Sequence, residues 1–305
     1  MKRKLLIAPA IAVALFAITF SGCTDEPKTE PCTETEWFQD NDGDGKGNAN
    51  VSMMSCEQPE GYVANNEDFL DVKVENKAVP ILFKITGETC YYCGDWGWDA
   101  WINLSNKFKD GKALSWGNYG SGFSNGYFRN QEINPTMEDL ENEFEDGGAK
   151  PNFGANGKDY DLSAANAEKA ANDFIATTPA ISAVLDASID GDQLTIKAAA
   201  ELFSDMTGNY VMGAYLIEDK AIGPQSGPAG AGGNPEHHLV MRGSLSSSAW
   251  GESIISSSAT SGTVIEKTYT ATIPSNYKEE NFSYGVIIWK EIGNKHLFVN
   301  AYSTQ

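Results

Sequence analysis

The chain has 305 residues, of which 22 are basic and 42 acidic, giving a formal net charge of −20. That balance disfavours nucleic acid as a partner, because such binding rests on neutralising phosphates. It suits solubility and hard cations, and the length allows about two domains with real cores.

Lys2, Arg3 and Lys4 make a positive start, followed by an apolar run from Leu5 to Phe20 and then Ser21-Gly22-Cys23. A charged start, a short apolar core and small residues form a secretory signal. The apolar run falls short of the ~20 residues that span a bilayer. An uncleaved N-terminal anchor is the alternative. The small-small-Cys ending resembles a bacterial lipobox. That resemblance implies a signal peptide at 1–22, a lipidated Cys23 and a membrane as partner through the acyl chains. Losing three basic residues would take the charge from −20 to −23. Residues 23–35 read as a polar tether. Asp25 and Glu26, just after Cys23, resemble the surface-export signal of Bacteroidetes lipoproteins, which implies the cell-surface side of the outer membrane. No other segment is long and apolar enough to cross.

Cys23 aside, four cysteines remain: Cys32 and Cys56 around an acidic loop, and Cys90 and Cys93 in a C-x-x-C. An exported chain retains disulfides. Two plus two suggests a Cys32–Cys56 bond by remainder.

Residues 36–71 form an acidic module. Asp40, Asp42 and Asp44 fall at positions 1, 3 and 5 of a calcium-type loop, with Gly45 at the turn. Val51 stands where an EF-hand needs a bidentate Glu, so this is not an EF-hand. The order Trp37-Phe38, Asp40 to Gly47, Cys56, Pro59, Gly61-Tyr62-Val63, Asp68 and Asp71 resembles the bacterial calcium module related to thrombospondin type 3 repeats. The resemblance implies calcium held by Asp40, Asp42, Asp44, Asp68 and Asp71. In that module the closing cluster usually carries a second Cys, where this chain has Phe69. A solvated acidic linker is the plain alternative.

Residues 78–178 read as an α/β unit. The run 78–86 is strand-like. Trp98, Trp101, Leu104 and Phe108 share a helical face that Gly111 ends. Residues 112–116 read as the next strand. Thr136 is the expected N-cap of a second helix carrying Met137, Leu140 and Phe144, with Asp139 at the capping-box position. Pro151 precedes a short strand, and a last helix at about 162–176 points Ala167, Ala170, Ala171, Phe174 and Ile175 inward. Strand, C-x-x-C, helix, strand, helix, Pro, strand, helix is similar to a thioredoxin-like domain. The resemblance implies Cys90 as nucleophile, Cys93 as resolver and Pro151, often cis, packed against them. A helix N-terminus favours thiolate. Zinc lacks further ligands nearby. A structural disulfide and a redox-dead binding shell stay open. Tyr91-Tyr92 and Thr89 depart from the redox family's residues.

Residues 180–305 read as an antiparallel β-sandwich, with strand-like runs at 190–202, 210–219, 237–245, 263–273, 282–292 and 295–304 separated by turn signals. Gly223 to Pro235 is a Gly/Pro loop without the Lys of a phosphate loop, and 246–261 is Ser-rich. His237 and His238, adjacent on a strand, face opposite ways. Tyr215, Glu218, Asp219, Gln225, His237, His238, Arg242, Trp250 and Gly251 carry a resemblance to the Omp28-related outer-membrane lipoproteins of Bacteroidetes. It implies an α/β thioredoxin-like domain followed by an antiparallel all-β sandwich, over about 78–305.

Two functions stay open. One is an outer-membrane-anchored envelope lipoprotein that binds an unknown protein or surface ligand, in adhesion or envelope assembly. The other is a tethered thiol-disulfide oxidoreductase. Neither calls for an organic cofactor.

Overall fold

The computed structural model describes residues 32–145 and 148–305. The expected signal peptide and Cys23 lie outside them. The first elements are strands β1 (Thr35–Gln39), β2 (Ser52–Ser55) and β3 (Tyr62–Val63), in a small antiparallel sheet ordered β2-β1-β3. Then come β4 (Ile81–Ile85), α1 (Trp96–Asn106), β5 (Leu114–Asn118), α2 (Met137–Phe144), β6 (Asn152–Ala155), β7 (Lys158–Asp159) and α3 (Ala164–Ile175). The remainder is β8 (Ile181–Asp190), β9 (Gln193–Leu202), β10 (Met206–Thr207), β11 (Asn209–Glu218), β12 (Ala221–Ile222), β13 (Glu236–His237), β14 (Val240–Ser244), β15 (Glu252–Ile255), β16 (Ser258–Ala259), β17 (Val264–Thr272), β18 (Phe282–Ile292) and β19 (Lys295–Ser303). No helix among the described residues is long and apolar enough to cross a membrane.

The expected fold class needs correction. The chain is mostly β, and no α/β domain closes on itself before the sandwich. A nine-stranded mixed sheet runs β19-β18-β11-β14-β5-β4-β6-β7, with β15 branching from β11. Its halves join where β14 lies parallel to β5, Val240 opposite Gly117, and the Gly117 N–H donates to the Leu239 carbonyl at 2.6 Å. Unpaired edges are costly, and here the β5 edge is covered by a strand from far along the chain, Val240 against Gly117. The sandwich reading agrees with the far end. There β17-β9-β8 forms an antiparallel sheet, and Leu194, Ile196 and Ala198 pack against Met212, Ala214 and Ile288 of the large sheet.

Strand alternation sets the layers. Phe83 and Ile85 face a core shared with Trp116, Met137, Phe144, Tyr215 and Trp289. Leu82, on the opposite face, packs under α1 and α3 with Trp101, Leu104, Phe153 and Ala167. Helix α3 starts at Ser163, whose hydroxyl accepts from the Asn166 N–H at 3.2 Å. Ile175 at its end points outward, 39% exposed, against expectation. Helix α2 is not capped by the expected Thr136–Asp139 box. The Glu132 carboxylate takes the Thr136 and Met137 N–H groups at 2.7 and 2.9 Å. The Thr136 hydroxyl instead accepts from the Ser244 N–H, tying α2 to β14.

Candidate functional site

Cys90 and Cys93 are disulfide-bonded and lie in the turn before α1, not in its first turn. The turn closes through the Gly97 N–H on the Tyr92 carbonyl at 3.0 Å. The Cys93 N–H donates to Cys90 Sγ at 3.2 Å. The Lys150–Pro151 peptide is cis. Pro151 packs on Gly97 so closely that a Cβ there would lie 2.4 Å from its ring. The Lys150 carbonyl sits 3.6 Å from Cys90 Sγ. That segment is held from below: the Lys150 ammonium donates to the Gly122 carbonyl at 2.7 Å and to the Glu141 carboxylate. Burial, with a hydrogen bond that protonated Glu145 donates to Glu141, pushes Glu145 up to about 7.

The sulfurs are covered. Cys90 is 4% exposed and Cys93 0%. A strap from the Gly/Pro loop is bonded to the turn that holds them. The Ser226 N–H donates to the Glu88 carbonyl at 2.7 Å, and the Ala229 N–H to the Gly94 carbonyl at 2.8 Å. The Gln225 amide donates to the Cys90 carbonyl at 3.0 Å. Gly94 permits the approach, since a Cβ there would stand 1.9 Å from the Ser226 carbonyl oxygen. Outside the strap the turn is aromatic: Tyr91, Tyr92, Trp96 and Phe123 are all exposed.

Beneath the turn lies a buried polar cluster. Lys84 on β4 is 2% exposed, sits 5.6 Å from the Trp98 ring, and burial pushes its amine down to about 7. His237 is fully buried. Its Nδ1 is 2.7 Å from the Tyr119 hydroxyl and its Nε2 3.1 Å from the Gly223 carbonyl. Burial, and then the positive charges of Lys84 and Arg242, push it down to about 3, while hydrogen bonds to backbone work the other way. Arg242 pairs with Glu218 at 2.7 Å and lies over the Tyr277 ring. His238 faces away and pairs with Asp219 at 2.6 Å. The Tyr215 hydroxyl donates to the Ala249 carbonyl and accepts from the Trp289 indole. Of the C-terminal signature residues, Gln225 is the one that hydrogen-bonds the cysteine turn among the described residues. Lys84 was not singled out from the sequence, because a lysine inside a strand run reads as a solvent-facing position.

The acidic module forms a second candidate site. Carboxylate oxygens of Asp40, Asp42 and Asp44 lie within 4.8 Å of one another. The Asp40 carboxylate takes the Gly43 and Gly45 N–H groups, and both glycines sit at positive φ, as the tight loop requires. Asp71 spends both oxygens holding the loop, on the Asn41 N–H and the Asn48 amide. Asp68 accepts from the Leu70 N–H through one oxygen, and its other is buried without a partner among the described residues. Burial, then the neighbouring carboxylates, raise the Asp42 and Asp68 pKa values. Asp68 and Asp71 fall outside the group of Asp40, Asp42 and Asp44, whose hard oxygens are of the kind calcium takes. Cys32 and Cys56 are bonded across this module.

These features define a mixed-sheet β protein with a strapped disulfide turn and an acidic loop module. No protein-family model and no curated protein sequence matches the chain. Among solved structures it is similar to HBP35 of Porphyromonas gingivalis, with a TM-score of 0.59 and 16% identity over 76% of each chain. At that identity the likeness shows a shared fold. A domain of the outer membrane lipoprotein Omp28 from Porphyromonas gingivalis matches with a TM-score of 0.27 and 16% identity, over 40% of this chain and 89% of that one. A score that low carries no argument.

Proposed function

We propose that the chain is an outer-membrane-anchored envelope lipoprotein with a binding or assembly role, held on the cell surface through a lipid on Cys23. The observation that carries the non-enzymatic part is the burial of both cysteines: a thiol-exchange partner must reach a sulfur, and Gln225 to Ala229 tie down the turn that holds them. In this reading the Cys90–Cys93 bond is a staple. The anchor rests on the Lys2 to Cys23 pattern. The acidic module takes calcium through Asp40, Asp42, Asp44 and Asp68, with Asp71 holding the loop, and stiffens the segment between anchor and body. The partner is a protein or surface ligand outside the chain.

A second reading, the tethered oxidoreductase, is favoured by one contact, the Cys93 N–H on Cys90 Sγ, which would stabilise a thiolate. Equilibration with glutathione and dithiothreitol separates the two. A staple should have a potential below about −300 mV, and a working couple one near about −200 mV. Insulin reduction at equal rates by the wild type and Cys90→Ser is the expected companion result. A wild-type rate well above that of the variant would overturn the staple.

A further inference from the structure

We infer that the aromatic rim around the cysteine turn is the docking surface for a partner segment that carries arginines. The inference deepens the binding role proposed above by naming the partner's chemistry. Every exposed tyrosine, tryptophan and phenylalanine among the described residues lies at this one end of the molecule: Tyr91, Tyr92, Trp96, Phe123 and Tyr127, each between 37% and 60% exposed. Exposed rings that cluster mark interaction surfaces, whereas singly scattered ones are ordinary. Backbone contacts make the cluster one surface. The Phe123 carbonyl accepts from the Thr89 N–H and hydroxyl at 2.9 and 2.7 Å. The Tyr91 and Tyr92 rings meet edge to face, 5.7 Å apart. A Cβ on Gly227 would lie 2.4 Å from the Tyr91 carbonyl oxygen, and one on Gly223 2.8 Å from the Tyr127 ring, so the strap joins the two. The rim is also held in place. Phe123 sits at φ +54°, in the left-handed region that non-glycine residues avoid, and the two bonds from Thr89 keep it there.

Charge selects the partner. Residues 87–99, 121–128 and 223–236, which build the rim, contain no lysine or arginine. They carry Asp95, Asp99 and Glu236, of which Asp99 and Glu236 are exposed and Asp95 is half-buried. None of the three is in an ion pair among the described residues. Asp95 and Asp99 stand either side of Trp96 at the start of α1, where the helix dipole favours their ionised forms. The basic groups close by are engaged or covered. Arg129, just beyond Tyr127, pairs with Glu138. Lys84 is 2% exposed, and the buried Lys150 ammonium is spent on the Gly122 carbonyl and Glu141. Bare rings and free carboxylates, in a chain of net charge −20, repel phosphates and acidic glycans alike. They attract a cation that can lie flat on a ring. A guanidinium does both things asked of it: it stacks on aromatic faces, pairs with carboxylates, and sheds water more readily than an ammonium. An arginine-bearing segment would stack on Tyr92 and Trp96 and pair with Asp95 and Asp99.

Isothermal titration of the full chain with hexa-arginine, in about 0.15 M sodium chloride to screen distant charges, tests this. Hexa-lysine, hexa-glutamate and cellohexaose are the other arms. Hexa-arginine should bind with a submillimolar constant, and hexa-lysine, of equal charge, at least about threefold more weakly. The other two should give no heat up to about 10 mM. Tyr92→Ala and Trp96→Ala leave the net charge unchanged and should each weaken hexa-arginine by about fivefold. Tyr92 is exposed, so its loss should leave folding intact. Asp99→Asn should weaken binding by about threefold, whereas Asp186→Asn, which removes the same charge on β8, should not. Hexa-lysine binding as tightly as hexa-arginine, or ring variants that bind as the wild type does, would show attraction to net charge and overturn the proposal. No heat with hexa-arginine up to about 10 mM overturns it as well. Cellohexaose binding more tightly than hexa-arginine would make this a surface for neutral glycans, and a dimer that Tyr92→Ala dissolves would make the occupant a second copy; each overturns the arginine class. None of these outcomes moves the Cys90–Cys93 potential, so the staple stands or falls separately.

Discussion

The side-chain amide of Gln225 donates to the carbonyl of Cys90 at 3.0 Å, across 135 residues of sequence. The contact makes the cysteine turn and the C-terminal strands one mechanical unit. It also bears on reactivity, since the strap must lift before a reductant reaches sulfur. Local opening of this kind sets the exposure of buried groups. Gln225→Ala removes the donor of the buried Cys90 carbonyl and one of the two donors of the Gly87 carbonyl, which keeps the Cys90 N–H, and should cost about 1–3 kcal/mol. Gly94→Ala forces a Cβ against the Ser226 carbonyl and should displace the strap directly. Both variants should be reduced by dithiothreitol at least about tenfold faster than the wild type. Alkylation followed by mass measurement reads the rate, and unchanged rates would show that the strap does not gate the sulfurs.

Much of this half was legible because its signals are local. Strand β4, helix α1, strand β5 and helix α3 each follow from an apolar period within a dozen residues. Pro151 packed on the cysteines was implied by the thioredoxin resemblance alone; the contact found is with Gly97. What the sequence hides is long-range. The single register pair Val240–Gly117 that fuses the sheets has no local signature. Neither does the strap, whose Gly/Pro composition reads as a free loop. Glu132 replaces Asp139 as the cap of α2 because the carboxylate reaches forward from a preceding turn, a geometry outside the S/T-x-x-E pattern. The calcium-type spacing of Asp40, Asp42 and Asp44 was legible; the orphaned oxygen of Asp68 was not.

Lys84 predicts a stability profile on the alkaline side. Burial lowers its folded pKa to about 7 from an ordinary 10.5. Between those values the unfolded chain holds one more proton than the folded one, so stability gains with rising pH. The penalty is complete below about 7 and gone above about 10.5. Lys84→Met keeps the stem against Trp98 and should stabilise the protein by a few kcal/mol, on the order of 3, at pH 7. The gain should shrink toward zero by pH 10.5. Urea unfolding at the two pH values measures it, and an equal gain at both would show that the amine is not the cause.

His237 predicts the acid side. Its folded pKa falls to about 3, against an ordinary 6.5, chiefly through burial. As pH drops from 6.5 toward 3 the unfolded state takes a proton that the folded state refuses, and stability falls. His237→Gln retains an amide for the Gly223 carbonyl and cannot titrate. Whatever it costs at pH 7, it should lose about 2–3 kcal/mol less than the wild type between pH 7 and pH 4. Tryptophan fluorescence during denaturant unfolding provides the comparison, and parallel losses would place the acid sensitivity elsewhere.

Calcium gives the remaining expectation. Asp42 and Asp68 bind protons more readily than ordinary carboxylates, mainly through burial and then through neighbouring carboxylates, Asp44 and Asp71 in both cases. A divalent cation relieves that repulsion and supplies the partner that Asp68 lacks. Saturating calcium should therefore stabilise the module, by about 2.7 kcal/mol at one hundred times the dissociation constant. Affinity should fall as pH drops toward the raised carboxylate pKa values, because protons compete for the same oxygens. Asp42→Asn and Asp68→Asn should each weaken uptake by at least about tenfold, whereas Asp186→Asn, on β8, should not. Titration calorimetry of the full chain with calcium chloride, repeated with magnesium chloride, decides the matter. Magnesium demands near-octahedral geometry and should bind far more weakly to a loop that brings its carboxylates no closer than this one. Absence of uptake at millimolar calcium would leave the acidic module a solvated linker.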